Sequence, residues 1–177
     1  MTLAAVGLGA NLGDAAATVR DALAELARTP GVHHVRASRL YRTAAWGRTE
    51  QPDFINAVAV IETDLLARDL LDALLGIEHA FGRVRSEGER WGPRTLDLDL
   101  LLFGDAVIDE PGLRVPHPHL HERAFALLPL AELLPAASIP GVGPSARACA
   151  SIGTVQRRRG GSWWSAVIGA ASAARGG

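Results

Sequence analysis

Residues 90–105 read RWGPRTLDLDLLLFGD. The second half has the pattern of a β-strand. Side chains of an extended chain alternate between two faces, so Leu96, Leu98 and Leu100 turn one way and Asp97 and Asp99 the other. The leucines need a core to cover them. The two aspartates share a face and repel each other unless something positive lies between them. A solvated face with screened repulsion is the plain reading, and a pair of metal ions is the sharper one. Spacing alone does not choose between them.

The flanking sequence supplies the elements around this strand. Residues 3–9 (LAAVGLG) are a short apolar run, a buried strand. Asn11–Asp14 offers a turn and helix caps, and the following helix carries Val19, Ala22, Leu23 and Leu26 on one stripe before Thr29-Pro30-Gly31 stops it. Residues 33–42 partly alternate and predict a strand, 43–53 a loop, and FINAVAVIE (54–62) a third strand. Thr63 and Asp64 are candidate caps for a second helix with Leu66, Leu70, Leu74, Ile77 and Phe81 as its apolar stripe. Residues 82–94 form a polar, glycine-containing loop. Gly104-Asp105 reads as a two-residue hairpin turn into Ala106-Val107-Ile108. Beyond residue 113, short helices are expected, broken by Pro129 and Pro135. The predicted fold is α+β: a ferredoxin-like βαββαβ core with a mainly antiparallel sheet, plus an added hairpin and C-terminal short helices. Residues 1–145 form a single catalytic domain in this reading. Residues 146–177, rich in Gly, Ser, Ala and Arg, form a weakly structured tail.

Bulk properties narrow the function. The 177 residues suit one ordinary domain, with 48% hydrophobic and 21% charged residues and a net charge of −1. No global field steers such a chain to nucleic acid or membrane, so neither is an expected partner. The lone cysteine, Cys149, and an N-terminal stretch, MTLAAVGLGANLGD, that lacks a basic n-region fit a reducing, cytoplasmic setting. All 18 basic residues are arginine. Walker A loops and Schiff-base mechanisms, which need lysine, fall away.

Several motifs carry chemistry. GLGANLG (7–13) lacks the spacing of a dinucleotide fingerprint, and its glycines read as a tight turn. Glu78 lies on the apolar side of the second helix, where a carboxylate needs a partner. Arg83, Arg85, Arg90 and Arg94 cluster within twelve positions. Beside a carboxylate pair they suit a polyanion, because guanidinium binds phosphate oxygens bidentately and stays charged. Carboxylates for Mg²⁺ with arginines for the remaining oxygens is the combination that metal-bridged nucleotide phosphates require. His117, His119 and His121 alternate in PHPHLH. One histidine near phosphate and two on the surface fits better than a zinc site, because Pro116 and Pro118 interrupt pairing. Phe54 and Asn56 fall on one strand face. With Phe125 they offer rings and an amide to a flat heterocycle, against core packing as the plain reading.

RWGPRTLDLDLLLFGD is very similar to the signature of the 6-hydroxymethyl-7,8-dihydropterin pyrophosphokinases of folate synthesis. GLGANLGD, LYRTAAWG, QPDFINAVAVIET, IEHAFGRVR and VPHPHLHERAFALLPLAEL support the resemblance over roughly residues 1–141. The resemblance implies an α+β, ferredoxin-like enzyme that transfers pyrophosphate from ATP to a pterin hydroxymethyl group and leaves AMP. It implies that Asp97 and Asp99 hold two Mg²⁺ ions on the ATP phosphates, and that Arg83, Arg94 and Arg123 act on the triphosphate. Arg85, Arg90 and Trp91 match a loop closing over it, and Glu78 and His117 match nucleotide-region residues. Phe54 and Phe125 match rings around the pterin, with Asn56, Thr43 and Trp46 at its hydrogen-bonding edge. ATP and the pterin are the implied partners, with association with other folate-pathway enzymes left open. Ala44 and Ala45 depart from the family, which commonly has proline there, and Pro118 stands where some members have tyrosine. Two other functions stay open on the residues themselves: a metallohydrolase, marked by phosphate release without a pterin acceptor, and a ferredoxin-like module that binds nucleotide without turnover.

Overall fold

Two long, largely apolar runs, LAAVGLGA (3–10) and FINAVAVIET (54–63), form neighbouring strands at the centre of a sheet. In this computed structural model, which describes residues 1–43, 51–82 and 95–148, the elements begin with β1 (Thr2–Ala10), α1 (Ala15–Arg28), β2 (Val32–Ala37), β3 (Tyr41–Thr43) and β4 (Phe54–Thr63). They continue with α2 (Ala67–Ala80), β5 (Asp97–Phe103), β6 (Ile108–Glu110) and β7 (Leu113–Val115). A single helical turn (Leu120–Glu122), α3 (Ala124–Leu133), β8 (Ser138–Ile139) and β9 (Gly143–Pro144) follow, and residues 145–148 are helical, with Ala148 buried where the sequence predicted the start of a weakly structured tail. The main sheet runs β2-β4-β1-β5, with β3 added beside β4, and these pairings are antiparallel. β1 matches β4 from Thr2↔Thr63 to Ala10↔Ile55.

Alternation gives this sheet two cores. Ala4, Val6 and Leu8 of β1, with Leu98 and Leu100 of β5, pack against Val19 and Leu26 of α1 and Leu70 and Leu74 of α2. On the opposite face Val58 and Leu101 meet Leu127 and Leu130 of α3. α3 therefore covers only part of a face whose remainder carries Asp97 and Asp99.

Several local expectations change. The strand predicted over 33–42 divides into β2 and β3, because Ser38 Oγ accepts the Val58 N–H (3.0 Å) and donates to the Arg39 carbonyl (2.8 Å). Thr63 and Asp64 do not cap α2, whose N-cap is Leu66. The Thr63 hydroxyl instead donates to the Gly31 carbonyl and accepts the Leu65 N–H. Leu66, predicted on the apolar stripe, is 71% exposed, because it precedes the first helical turn, and Ala67 takes the buried place. Gly7 and Gly9 lie within β1, and only Gly13 of that trio (φ 58°) supplies a turn. A turn does form at Gly104, whose N–H donates to the Leu3 carbonyl (2.7 Å), but the next strand leaves β5. β6 pairs with β7 instead, across Pro111-Gly112, with Gly112 at φ 75°. Pro129 does not break α3. Burial of Ala126, Leu127 and Leu130 offsets the helix bond that proline cannot make.

Candidate active site

Asp97 and Asp99 stand on β5 as the alternation requires, opposite the buried Leu98 and Leu100. The register sets each in a row across the sheet. Asp97 pairs with Gly9 and Gly9 with Asn56, while Asp99 pairs with Gly7 and Gly7 with Val58. The middle of each row therefore has no side chain. A Cβ at Gly9 would lie 3.0 Å from Asn56 Oδ1, and one at Gly7 would touch the Leu101 side chain at 3.4 Å. At Gly9, a buried residue, the row between Asp97 and Asn56 therefore carries no side chain, whereas the Leu101 side chain lies against the Gly7 backbone. A G-x-G inside an apolar strand marks such close approach, and it is the signal the turn reading passed over.

Positive charge stands beside the carboxylates. Arg123, just before α3, donates from Nη1 to Asp99 Oδ2 at 3.2 Å. Its guanidinium also lies 5.8 Å from the centre of the Phe125 ring, a cation–π contact. His117 Nε2 lies 3.9 Å from Asp99 Oδ1, and its Nδ1 accepts the His119 N–H at 3.3 Å. With Nδ1 accepting, the ring proton sits on Nε2, facing the carboxylate. Burial, reinforced by Arg123 and His119 and opposed by Asp97, pushes the His117 pKa down to about 4. The imidazole is thus neutral near pH 7: a donor through Nε2 and a weak base. His119 and His121 pair with Glu122 at the surface (3.2 and 3.4 Å), as the plain reading has it.

Glu78 is 2% exposed, and its Oε1 accepts the Leu98 N–H at 2.7 Å. Leu98 is the residue between the two aspartates, so this buried carboxylate holds the strand segment that presents both. A cleft of about 790 Å³ opens alongside, lined by Leu71 and Leu75 of α2, Asp97 and Asp99, the Pro111-Gly112 turn and His117. It is large enough for a nucleotide-sized ligand.

Of the remaining described candidates, Thr43, Phe54 and Asn56 lie around the start of β4, and Phe125 lies in the first turn of α3. Asn56 is buried and donates from Nδ2 to Thr43 Oγ1 at 2.8 Å, which turns its Oδ1 towards Gly9. Phe54, half-buried, lies on the same face as Asn56 and opposite Thr43 in the ladder. Phe125 is 36% exposed. Asn11, which sequence analysis did not single out, is buried and donates to Gln51 Oε1 and the Pro52 carbonyl, fixing the approach to β4. The structure thus joins Asp97, Asp99, Glu78, His117 and Arg123 around β5, and Thr43, Phe54 and Asn56 around β4, with Gly9 bridging the two groups. Trp46, Arg83, Arg85, Arg90, Trp91 and Arg94 lie outside the described residues, as do the loop over 83–94, Cys149 and the tail from 149.

The family described as 7,8-dihydro-6-hydroxymethylpterin-pyrophosphokinase (HPPK) matches residues 5–135. A Methylorubrum extorquens 2-amino-4-hydroxy-6-hydroxymethyldihydropteridine pyrophosphokinase is 47% identical over 141 residues, covering 80% of this chain and 88% of that protein. The Pseudomonas aeruginosa protein of the same name is 48% identical over 135 residues, covering 76% and 82%. A crystal structure of Plasmodium falciparum HPPK-DHPS shares the fold at 13% identity and a TM-score of 0.71, covering 89% of this chain. This chain spans only 46% of that one, so the likeness concerns the fold alone.

Proposed function

Because the chain belongs to the 7,8-dihydro-6-hydroxymethylpterin-pyrophosphokinase family, we propose a role for each group around the two-carboxylate face. The reaction is the transfer of pyrophosphate from ATP to the hydroxymethyl group of 6-hydroxymethyl-7,8-dihydropterin, in folate synthesis. The hydroxymethyl oxygen bonds to the β-phosphorus, the bond from that phosphorus to the α,β-bridging oxygen breaks, and AMP leaves.

Asp97 and Asp99 hold two Mg²⁺ ions in this reading. Two hard carboxylates suit Mg²⁺, which takes one or two protein oxygens and completes its shell with water and phosphate. That suits this face. Among the described residues no group of three or more His, Cys, Asp or Glu gathers as a self-sufficient metal cage. Bound there, Mg²⁺ supplies charge neutralisation on the phosphate oxygens. Arg123, now on Asp99, is placed to turn its guanidinium to a phosphate oxygen once that carboxylate is otherwise engaged. His117 donates through Nε2, Glu78 keeps the β5 segment in place, and the cleft beside α2 takes the nucleotide. Arg83, Arg85, Arg90, Trp91 and Arg94 are assigned to the triphosphate on the resemblance.

The pterin lies near Gly9, with Asn56, Thr43 and Trp46 at its polar edge and Phe54 and Phe125 against its faces. The single observation that carries this reading is the row Asn56–Gly9–Asp97, which sets an amide and a carboxylate on either side of a residue without a side chain. The strand order β2-β4-β1-β5 with two helices on one face supports a ferredoxin-like core, with β6–β7 as an appended hairpin and residues 1–145 as one catalytic unit. No helix among the described residues is long and apolar enough to cross a membrane. A cytoplasmic location remains part of the proposal.

The test is product analysis with ATP labelled at the γ-phosphate. The label is expected in an intact pterin diphosphate, with AMP as co-product; stoichiometric ADP would overturn the reaction. Asp97→Ala and Asp99→Ala are each expected to fold and to lose about 10³-fold or more in turnover. Near-normal activity in either would overturn the metal assignment.

A further inference from the structure

Glu132 occupies the last turn of α3, where a carboxylate meets the partial negative end of the helix. Compensation comes from a segment 91 residues away in sequence: the Tyr41 hydroxyl donates to Oε2 at 2.6 Å. Arg39 donates both its backbone N–H and its Nε–H to Oε1, each at 3.3 Å. Residues 39–41 are the entry to β3, a strand of three residues whose ladder is with β4. So short a strand with one ladder has little to fix it. The Glu132 contacts supply a second anchor.

That anchor joins two parts of the pterin face. Tyr41 sits opposite Asn56 in the ladder, and Thr43, two residues on, accepts the Asn56 Nδ2 hydrogen bond. The same helix that carries Glu132 in its last turn carries Phe125 in its first, with Arg123 as its N-cap. One rigid element thus carries the Phe125 ring at one end and the tether of the strand that orients Asn56 at the other. We propose that Glu132 and Tyr41 are positioning residues for the pterin: their hydrogen bond fixes the Thr43–Asn56 edge relative to the Phe125 end of α3. This inference rests on the pterin-site reading above.

The experiment uses the full chain with Tyr41→Phe, which removes one hydroxyl and keeps the ring, and Glu132→Gln, which keeps the shape. Dissociation constants for 6-hydroxymethyl-7,8-dihydropterin are measured by calorimetry with α,β-methylene-ATP present, and those for the ATP analogue separately. Losing a hydrogen bond to a charged group on the positioning path is expected to weaken pterin binding about five- to tenfold, with ATP-analogue binding changed less than about twofold. The double variant is expected to be no worse than the poorer single one, because the Tyr41 hydroxyl acts through Glu132. Unchanged pterin binding, or equal weakening of both ligands with a lowered Tm, would overturn the inference and leave a merely structural contact. Asn56→Ala and Phe125→Ala separate the two readings. If these weaken pterin binding and the clamp variants do not, the clamp alone falls. If they leave pterin binding unchanged, the pterin-site assignment falls and the clamp with it.

Discussion

Tyr41 is the single tyrosine of the chain, so its ionisation can be followed without interference from another phenol. Burial, with the hydrogen bond and negative charge of Glu132, pushes its pKa up to about 12. A folded-state pKa raised above the unfolded value of about 10 means that the contribution is complete below pH 10 and is lost as pH climbs towards 12. Phenolate absorbance is therefore expected to rise with a midpoint near 12 in the folded protein and to shift downward in Glu132→Gln. A midpoint at the ordinary phenol value in the parent protein would contradict the contact. Two glycines make a second, paired test. Gly9 has no unusual φ, but a Cβ there would press on Asn56 Oδ1, which the Thr43 bond holds in place. Gly13 has open space around it and a left-handed φ of 58°. Gly9→Ala is expected to weaken pterin binding about tenfold in a folded protein, while Gly13→Ala lowers stability by about 1 kcal/mol and leaves pterin binding alone. Calorimetric titration and a thermal melt of both variants decide it; the reverse pattern would refute a pterin-side role for the Gly9–Asn56 approach.

α1 shows what local chemistry can specify at the scale of one element. Asp14 accepts the Ala17 N–H at 2.9 Å, and the helix ends at Thr29, beside the proline that stops it. Asp14→Ala is expected to cost about 1 kcal/mol, seen as a lower denaturation midpoint with both substrate KM values unchanged. This helix and strands β1, β4 and β5 were legible in the sequence because caps and alternating or helical apolar spacing are written in neighbouring residues. The same alternation made Asp97 and Asp99 legible as a shared face, and a dense arginine cluster nearby suggested the anion. What could not be read depends on distant partners. The break between β2 and β3 follows from Ser38 meeting Val58. The hold on β5 follows from Glu78 meeting Leu98, and the tether of β3 from Glu132. No local spacing announces such bonds. Two misreadings had local signals that were weighed wrongly: Pro111-Gly112 is a stronger turn mark than Gly104-Asp105, and G-x-G inside LAAVGLGA belonged to the strand.

At the scale of the molecule, the sheet separates two tasks. One face is sealed by α1 and α2 around Leu26, Leu70 and Leu74. The other divides its area between the α3 core, around Leu127, and the open carboxylate region. Leu26→Ala and Leu127→Ala are both expected to cost about 2–5 kcal/mol, because each empties a fully buried site. Steady-state kinetics on the folded fraction should distinguish them. Leu127→Ala loosens the helix that carries Phe125 and Glu132 and is expected to raise the pterin KM, whereas Leu26→Ala leaves it unchanged. Equal kinetic effects would mean that the two faces are mechanically coupled. The outermost position of β5 has one more consequence. The rim of a sheet is a template on which a strand from another molecule can grow. Here the amide of Leu98 is already taken by Glu78, and Asp97 and Asp99 flank it with negative charge. A strand arriving at that segment would have to displace a buried carboxylate and settle among three acidic groups. That acidity guards the rim against aggregation, and stripping those charges would cost solubility before it cost the fold.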